Sequence, residues 1–189
     1  MVLEIGLTHT LLANSQEPQF EDQLVADCKR GDVRAYERLY EIHGPRMKSI
    51  AFHMLRNRTD AEDAVQETFL KVYRAMEKFS GASALSTWIY RILLNTCYDQ
   101  GRQKARLAEK AQTYEVGSRT DLPLRIALER ALEKLNERHR TVFLLYEVEG
   151  LKHSEIAGIL EVPEGTSRNW LFEAKRELKR MLTRPAHEV

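Results

Sequence analysis

The residues best suited to chemistry in this chain are cations and aromatics, and they gather in three places. The first is the C-terminal run from Arg168 to Arg184, where six Lys or Arg stand against Glu173 and Glu177. A net charge near +4 on one segment can sit against phosphates, and Arg and Asn carry the paired groups that read base edges. Arg168 and Asn169 are therefore candidate base readers. Lys175, Arg176, Lys179 and Arg180 suit phosphate contacts or a merely solvated face. The second place is Trp88, Tyr90 and Arg91, beside the small-residue loop K-F-S-G-A-S-A-L at 78–85. Aromatics with nearby cations can stack and hold single-stranded bases. Trp88 equally fits a core position. The third is the stretch from Thr59 to Met76, where Asp63, Glu67, Lys71 and Arg74 fall on one side of a helix. That side is either a partner surface or an ordinary solvated face.

Other chemistry is excluded. No residue set supplies acid, base and electrophile, and there is no Gly-rich phosphate loop, nucleophile motif or H-E-x-x-H. The histidines at 9, 43, 53, 139, 153 and 187 are scattered. Asp60, Glu62, Asp63 and Glu67 fall on more than one helical face and lack the loop of a calcium or magnesium site. Cys28 and Cys97 have no partner motif, which argues against zinc and disulfides and fits a reducing cytoplasm. The expectation is thus a non-enzyme with no catalytic residue, metal or cofactor. The net charge is only +1, so affinity for nucleic acid must come from local concentration of charge. No apolar run approaches the roughly 20 residues that span a bilayer, and the N-terminus lacks the basic start of a signal peptide. Membrane insertion is not expected, and a cytoplasmic location is.

The elements that must position these groups are helices. Gly and Pro are sparse, and apolar residues recur three or four apart. The spacing predicts an all-α fold of two small helical domains joined by a flexible linker, the second containing a helix-turn-helix. The boundaries read as a tail at 1–19, a first domain at 20–106, a linker at 107–123 and a second domain at 124–184. In the first domain, helices are expected at Phe20–Lys29 and from Val33 to about Ile42. His43-Gly44-Pro45 should then break the chain. Thr59 with Glu62 suggests a capping box that starts a helix near Asp60, with Ala61, Val65, Phe69, Val72 and Met76 inward. Ser86 is the expected cap of the next helix, which buries Ile89, Ile92, Leu93 and Thr96. In the second domain Asn136 caps a helix that ends at Gly150, and a short helix and a turn at Val162-Pro163 precede Glu164–Leu182. Leu171, Ala174, Leu178 and Leu182 form the buried side of that last helix.

Three pieces together, D-A-E-D-A-V-Q-E-T-F-L-K-V-Y-R at 60–74, S-T-W-I-Y-R-I-L-L-N at 86–95 with Asp99 and Arg102, and G-L-K-H-S-E-I-A-G-I-L-E-V-P-E-G-T at 150–166, resemble the extracytoplasmic-function sigma factors of bacterial RNA polymerase. The resemblance covers about Phe20 to Leu182. It implies that the first domain binds the polymerase clamp and opens the promoter at its −10 element, while the second holds the −35 element as duplex and lies near the flap. It places Asp63, Gln66, Glu67 and Lys71 in the polymerase contact. It brings Ser80, Trp88, Tyr90, Arg91, Asn95, Asp99 and Arg102 to the −10 single strand, and Thr166, Ser167, Arg168, Asn169, Trp170, Lys175 and Arg176 to the −35 duplex. It also implies an anti-sigma protein as a candidate partner. The chain departs from the family's pattern at Trp170 and Glu173, where basic residues are usual, at Gly101, and at Ser154, which stands two residues late for a cap. A helix-turn-helix regulator acting without polymerase and a scaffold without DNA binding are the competing readings. The first domain argues against the regulator, which has no need for both the helix at 60–74 and that at 86–106; the scaffold reading requires that Trp170 and Glu173 disable the last helix.

Overall fold

The computed structural model describes residues 17–111 and 124–183, and every regular element among them is helical. α1 is Glu17–Lys29, α2 Val33–Leu55, α3 Arg58–Ala75 and α4 Leu85–Ala111. α5 is Leu124–Lys134, α6 Glu137–Phe143, α7 His153–Leu160 and α8 Glu164–Thr183. A 3-10 turn, Met76–Lys78, follows α3, and a π turn, Leu144–Val148, continues α6. α1 takes in the last three residues of the expected tail, and α4 runs five residues into the expected linker. The rest of that tail, the remainder of the linker and Arg184 lie outside the described residues.

Local signals misplace three helix boundaries. α2 runs through His43-Gly44-Pro45 instead of breaking there. Pro45 has no N–H for the Glu41 carbonyl, which works against the helix. Beyond it, however, Met47, Ile50 and Ala51 are buried, and burying side chains of Met or Ile size stabilises by about 1.5–3 kcal/mol each. Gly44 is closely approached, since an added Cβ would lie 3.3 Å from the Tyr40 ring, which would have to shift by a few tenths of an ångström. α3 is capped by Asn57, whose side chain accepts from the Asp60 N–H at 3.1 Å, and not by Thr59. Asn caps as well as Thr and stands two residues earlier, so the helix gains length. Glu62 turns to Arg58 instead, at 3.2 Å. Ser86 lies inside α4, which starts at Leu85.

α2, α3 and α4 pack around Leu39, Met47, Val65, Val72, Ile89 and Leu93. α1 closes one side with Leu24 and Cys28. Both cysteines are free and buried, and burial pushes their thiols up to about 11 for Cys28 and about 12 for Cys97. In the second half α5 meets α8 through Ala131, Leu135, Ala174 and Leu178. Leu182 is exposed, contrary to the sequence expectation, and Met181 packs in its place.

The two halves do not stand apart. Val142, Leu145, Leu151, Ile156, Ile159 and Leu171 belong to the same contiguous apolar cluster as the core of α1–α4. α7 lies along α4, so close that a Cβ on Gly158 would sit 3.2 Å from the Thr87 methyl.

Candidate nucleic-acid interface

Three outward stripes follow from helix geometry. On α3, Asp63, Gln66, Glu67, Leu70 and Arg74 recur at three- and four-residue steps, and all are exposed. Lys71 is turned toward α4, where it donates to Thr96 Oγ1 at 3.0 Å and pairs with Glu67 at 2.8 Å. Its hydrogen bond, with one from Gln100, holds the Glu67 carboxyl below the usual range. The sequence reading missed Leu70, 56% exposed, and Tyr73, 57% exposed at the edge of the same face. Their type suggests core; only their phase on the helix marks them as surface.

On α4, Trp88, Arg91, Asn95, Asp99 and Arg102 share one side. Asn95 and Asp99 are open, and Asp99 pairs with Arg102 at 2.8 Å. Trp88 is half-buried and packs its ring on Phe79 at 5.0 Å between centroids. Ser80, in the loop before α4, is exposed. Tyr90 lies on the opposite side of α4, only 5% exposed, with its hydroxyl 3.4 Å from His43 Nδ1. Burial there, reinforced by Arg46, pushes the His43 imidazole down to about 4. The sequence grouping of Tyr90 with Trp88 and Arg91 thus joins residues from two faces.

On α8, Arg168, Asn169, Phe172, Arg176 and Lys179 form an exposed stripe. Phe172, 61% exposed, is the apolar member that sequence reasoning did not single out. Thr166 is half-buried beside the stripe, and Ser167 is fully buried, 2.9 Å from His153 Nδ1. Ser167 therefore secures α8 to α7 and does not reach the outer face. Burial first, with the cations Arg168 and Lys175, holds the His153 imidazole below its ordinary range. Lys175 lies on the flank, paired with Glu147 at 2.6 Å and over the Tyr146 ring. The two departures also leave the stripe. Trp170 is half-buried with the Arg138 guanidinium over its ring, and Glu173 pairs with Arg176. At the start of α7 the Glu155 carboxylate accepts from the Lys152 N–H at 2.7 Å, the reciprocal half of a capping box, while the cap residue Lys152 makes no side-chain cap bond of its own.

A polar seam runs where the halves meet. Arg91 donates to the Gly158 carbonyl at 2.6 Å and pairs with Glu161 at 2.7 Å. Arg46 donates to the Glu149 carbonyl and pairs with its carboxylate, which also accepts from Ser49 Oγ at 2.6 Å. The Tyr98 hydroxyl meets Thr141 Oγ1 at 2.9 Å. Arg102 and Trp170 line one cleft together with Tyr98, Glu137 and Arg138. One edge of the α4 stripe is therefore covered, whereas the α8 stripe is not.

Residues 39–107 match the family model described as Sigma-70 region 2, and residues 125–178 match Sigma-70, region 4. These two regions define the class as a sigma-70-type transcription factor. The chain is 35% identical over 180 residues to the ECF RNA polymerase sigma-E factor of Haemophilus influenzae, a match covering 85% of this chain and 95% of that one. It is 31% identical to the RNA polymerase sigma-H factor of Pseudomonas aeruginosa, covering 86% and 93%. The chain belongs to the ECF RNA polymerase sigma factor family, and is an alternative-type sigma factor that recognises promoter elements with RNA polymerase. The solved structure of CnrH in complex with the cytosolic domain of CnrY superposes with a TM-score of 0.67 at 26% identity, over 86% of this chain and 96% of that one. A sigma factor is not an enzyme. Among the described residues no group of His, Cys, Asp and Glu could hold a metal, and no helix is long and apolar enough to cross a membrane.

Proposed function

We propose that the three stripes divide the work of promoter recognition. The α3 face of Asp63, Gln66, Glu67, Leu70 and Tyr73 docks on the clamp of core polymerase, combining carboxylates with exposed apolar side chains. Lys71 shapes that face from behind by holding Glu67. The α4 stripe and the loop that holds Ser80 take the −10 element as single strand, with Trp88 as a stacking surface and Asn95, Asp99 and Arg102 along the strand. The α8 stripe holds the −35 element as duplex. Arg168 and Asn169 are nearest the bases, Thr166 and Arg176 lie beside them, and the second domain approaches the polymerase flap.

The observation that carries this reading is that α4 and α8 each present an exposed polar stripe on one chain. The covered edge of α4 adds a condition. Arg91 can reach the strand only when Glu161 and Gly158 release it, so engagement with polymerase separates the halves. The apolar surface between them must then be covered by polymerase. An anti-sigma protein that stabilises the closed arrangement is the regulatory partner this predicts, and the chain acts in the cytoplasm with the polymerase. The structure of CnrH in complex with the cytosolic domain of CnrY supports a protein partner for this fold.

The test is reconstituted transcription with core polymerase and a library of promoter fragments. The expected result is initiation at a defined subset of fragments. No promoter-dependent product from folded protein would sink the proposal.

A further inference from the structure

The loop 79–84 that leads into α4 is held from behind by α1. Glu21 Oε1 accepts from the backbone N–H of Leu85, the first residue of α4, at 2.7 Å and across 64 positions of sequence. The loop cannot cap α4 itself: the Trp88 N–H donates to the Ala84 carbonyl at 3.1 Å, so the cap position falls on an alanine. At the other end of the loop Lys29 Nζ donates to the Phe79 carbonyl at 2.8 Å. Glu21 and Lys29 are eight residues apart on α1, about 12 Å along the helix axis. Between these two anchors Gly81 takes φ +74°, and a cavity of about 550 Å³ opens between the loop and α1, bounded by Asp22, Val25, Ser80 and Ser83.

We propose that Glu21 and Lys29 are positioning residues for strand capture. They hold the two ends of the loop apart so that it stays open to an unstacked base. This rests on the reading that loop and α4 take the −10 strand. The first N–H groups of a helix have no partner within it, and a carboxylate there satisfies one while complementing the helix dipole. Without it the first turn of α4 frays. That turn carries Trp88, which is packed on Phe79, the residue whose carbonyl Lys29 holds. One contact therefore sets the helix start and the other sets the loop start, and the stacking ring lies between them.

The test uses the full chain bound to core polymerase and −10 non-template oligonucleotides that carry each of the four bases at the unstacked position and 2-aminopurine beside it. Duplex −35 affinity and thermal melting run in parallel. Glu21→Ala is expected to weaken strand binding about fivefold, as for loss of one helix cap, and to reduce the preference among bases at that position. Duplex affinity stays unchanged. Glu21→Gln keeps an acceptor oxygen and restores both strand affinity and preference. Lys29→Met gives a smaller loss of the same kind. Wild-type strand binding and base preference in Glu21→Ala would overturn the proposal, as would Glu21→Gln failing to the same extent as Glu21→Ala. If the wild-type complex itself does not bind the strand, the underlying reading falls and takes the proposal with it.

Discussion

α4 and α8 each carry a polar stripe over several turns, yet the fold treats them differently. α8 seats itself through Ser167, Leu171, Ala174 and Leu178 and leaves Arg168, Asn169, Phe172 and Arg176 outward. α4 gives one edge of its stripe to the second domain, where Arg91 is held by Glu161 and Gly158. The Arg91 cation is thus paired with a carboxylate of the same chain in the closed arrangement. Partly exposed ion pairs are worth little net, so such anchors fix the register of a closed arrangement that the apolar cluster shared by the two halves holds together. The stripe cations Arg168 and Arg176 pair only within α8, with Glu164 and Glu173, whereas Arg91 of α4 is tied to the second half of the chain.

The largest expected effect lies on α3, which the seam leaves open. Reversing Asp63 and Glu67 together should weaken binding to core polymerase by about 2–5 kcal/mol if these charges are desolvated in the contact. Melting temperature should hardly move, since both side chains are exposed. Pull-down beside thermal melting checks it, and unchanged binding returns this face to a solvated role.

Acid should act on the covered side. His43 faces Tyr90 from α4 and shares its helix with Arg46; its imidazole is held near 4 instead of 6.5. Between those values the unfolded chain binds a proton that the folded chain refuses, so stability falls as pH drops from about 6.5 toward 4. The loss is on the order of 3 kcal/mol across the window. Denaturant titrations at several pH values should show a shallower pH slope in His43→Gln. Equal slopes would show that His43 contributes nothing.

The open side gives smaller, more selective effects. Arg168→Ala should cost roughly 1–3 kcal/mol on the preferred −35 duplex and relax discrimination at one position. Lys175→Ala should weaken all sequences about equally and lower the salt slope by about one unit. Titrations at several salt concentrations separate the two. An unchanged slope would mean that Glu147 keeps the Lys175 charge out of the contact. Even weakening by Arg168→Ala, with altered preference from Lys175→Ala, would reverse the assigned orientation of α8.

Much of this was legible in the sequence because helix periodicity is local. The apolar sets of α3 and α4, that of α8 as far as Leu178, the Asn136 cap and the helix-turn-helix order all follow from spacing within one turn or two. Pro45 was misleading because a local breaker was outweighed by burial further along α2, which only the tertiary fold supplies. Leu70, Tyr73 and Phe172 were hidden by type, since a large apolar residue reads as core until its phase is set. The seam left no trace at all. Arg46 and Glu149 are 103 residues apart, and Glu21 caps α4 from another helix, so no short pattern could announce either contact.

The central claim is that the second domain shuts one edge of the −10 face in the free chain. It is tested most directly by titrating a −10 single strand against free wild-type protein and against Glu149→Arg with Glu161→Arg, which sets cations against Arg46 and Arg91. The account predicts that the reversed seam opens and that the free variant binds the strand about tenfold more tightly, a gain of about 1.4 kcal/mol. Duplex −35 affinity should remain unchanged. Equal strand affinity for the two free proteins, with scattering showing the variant opened, would contradict it.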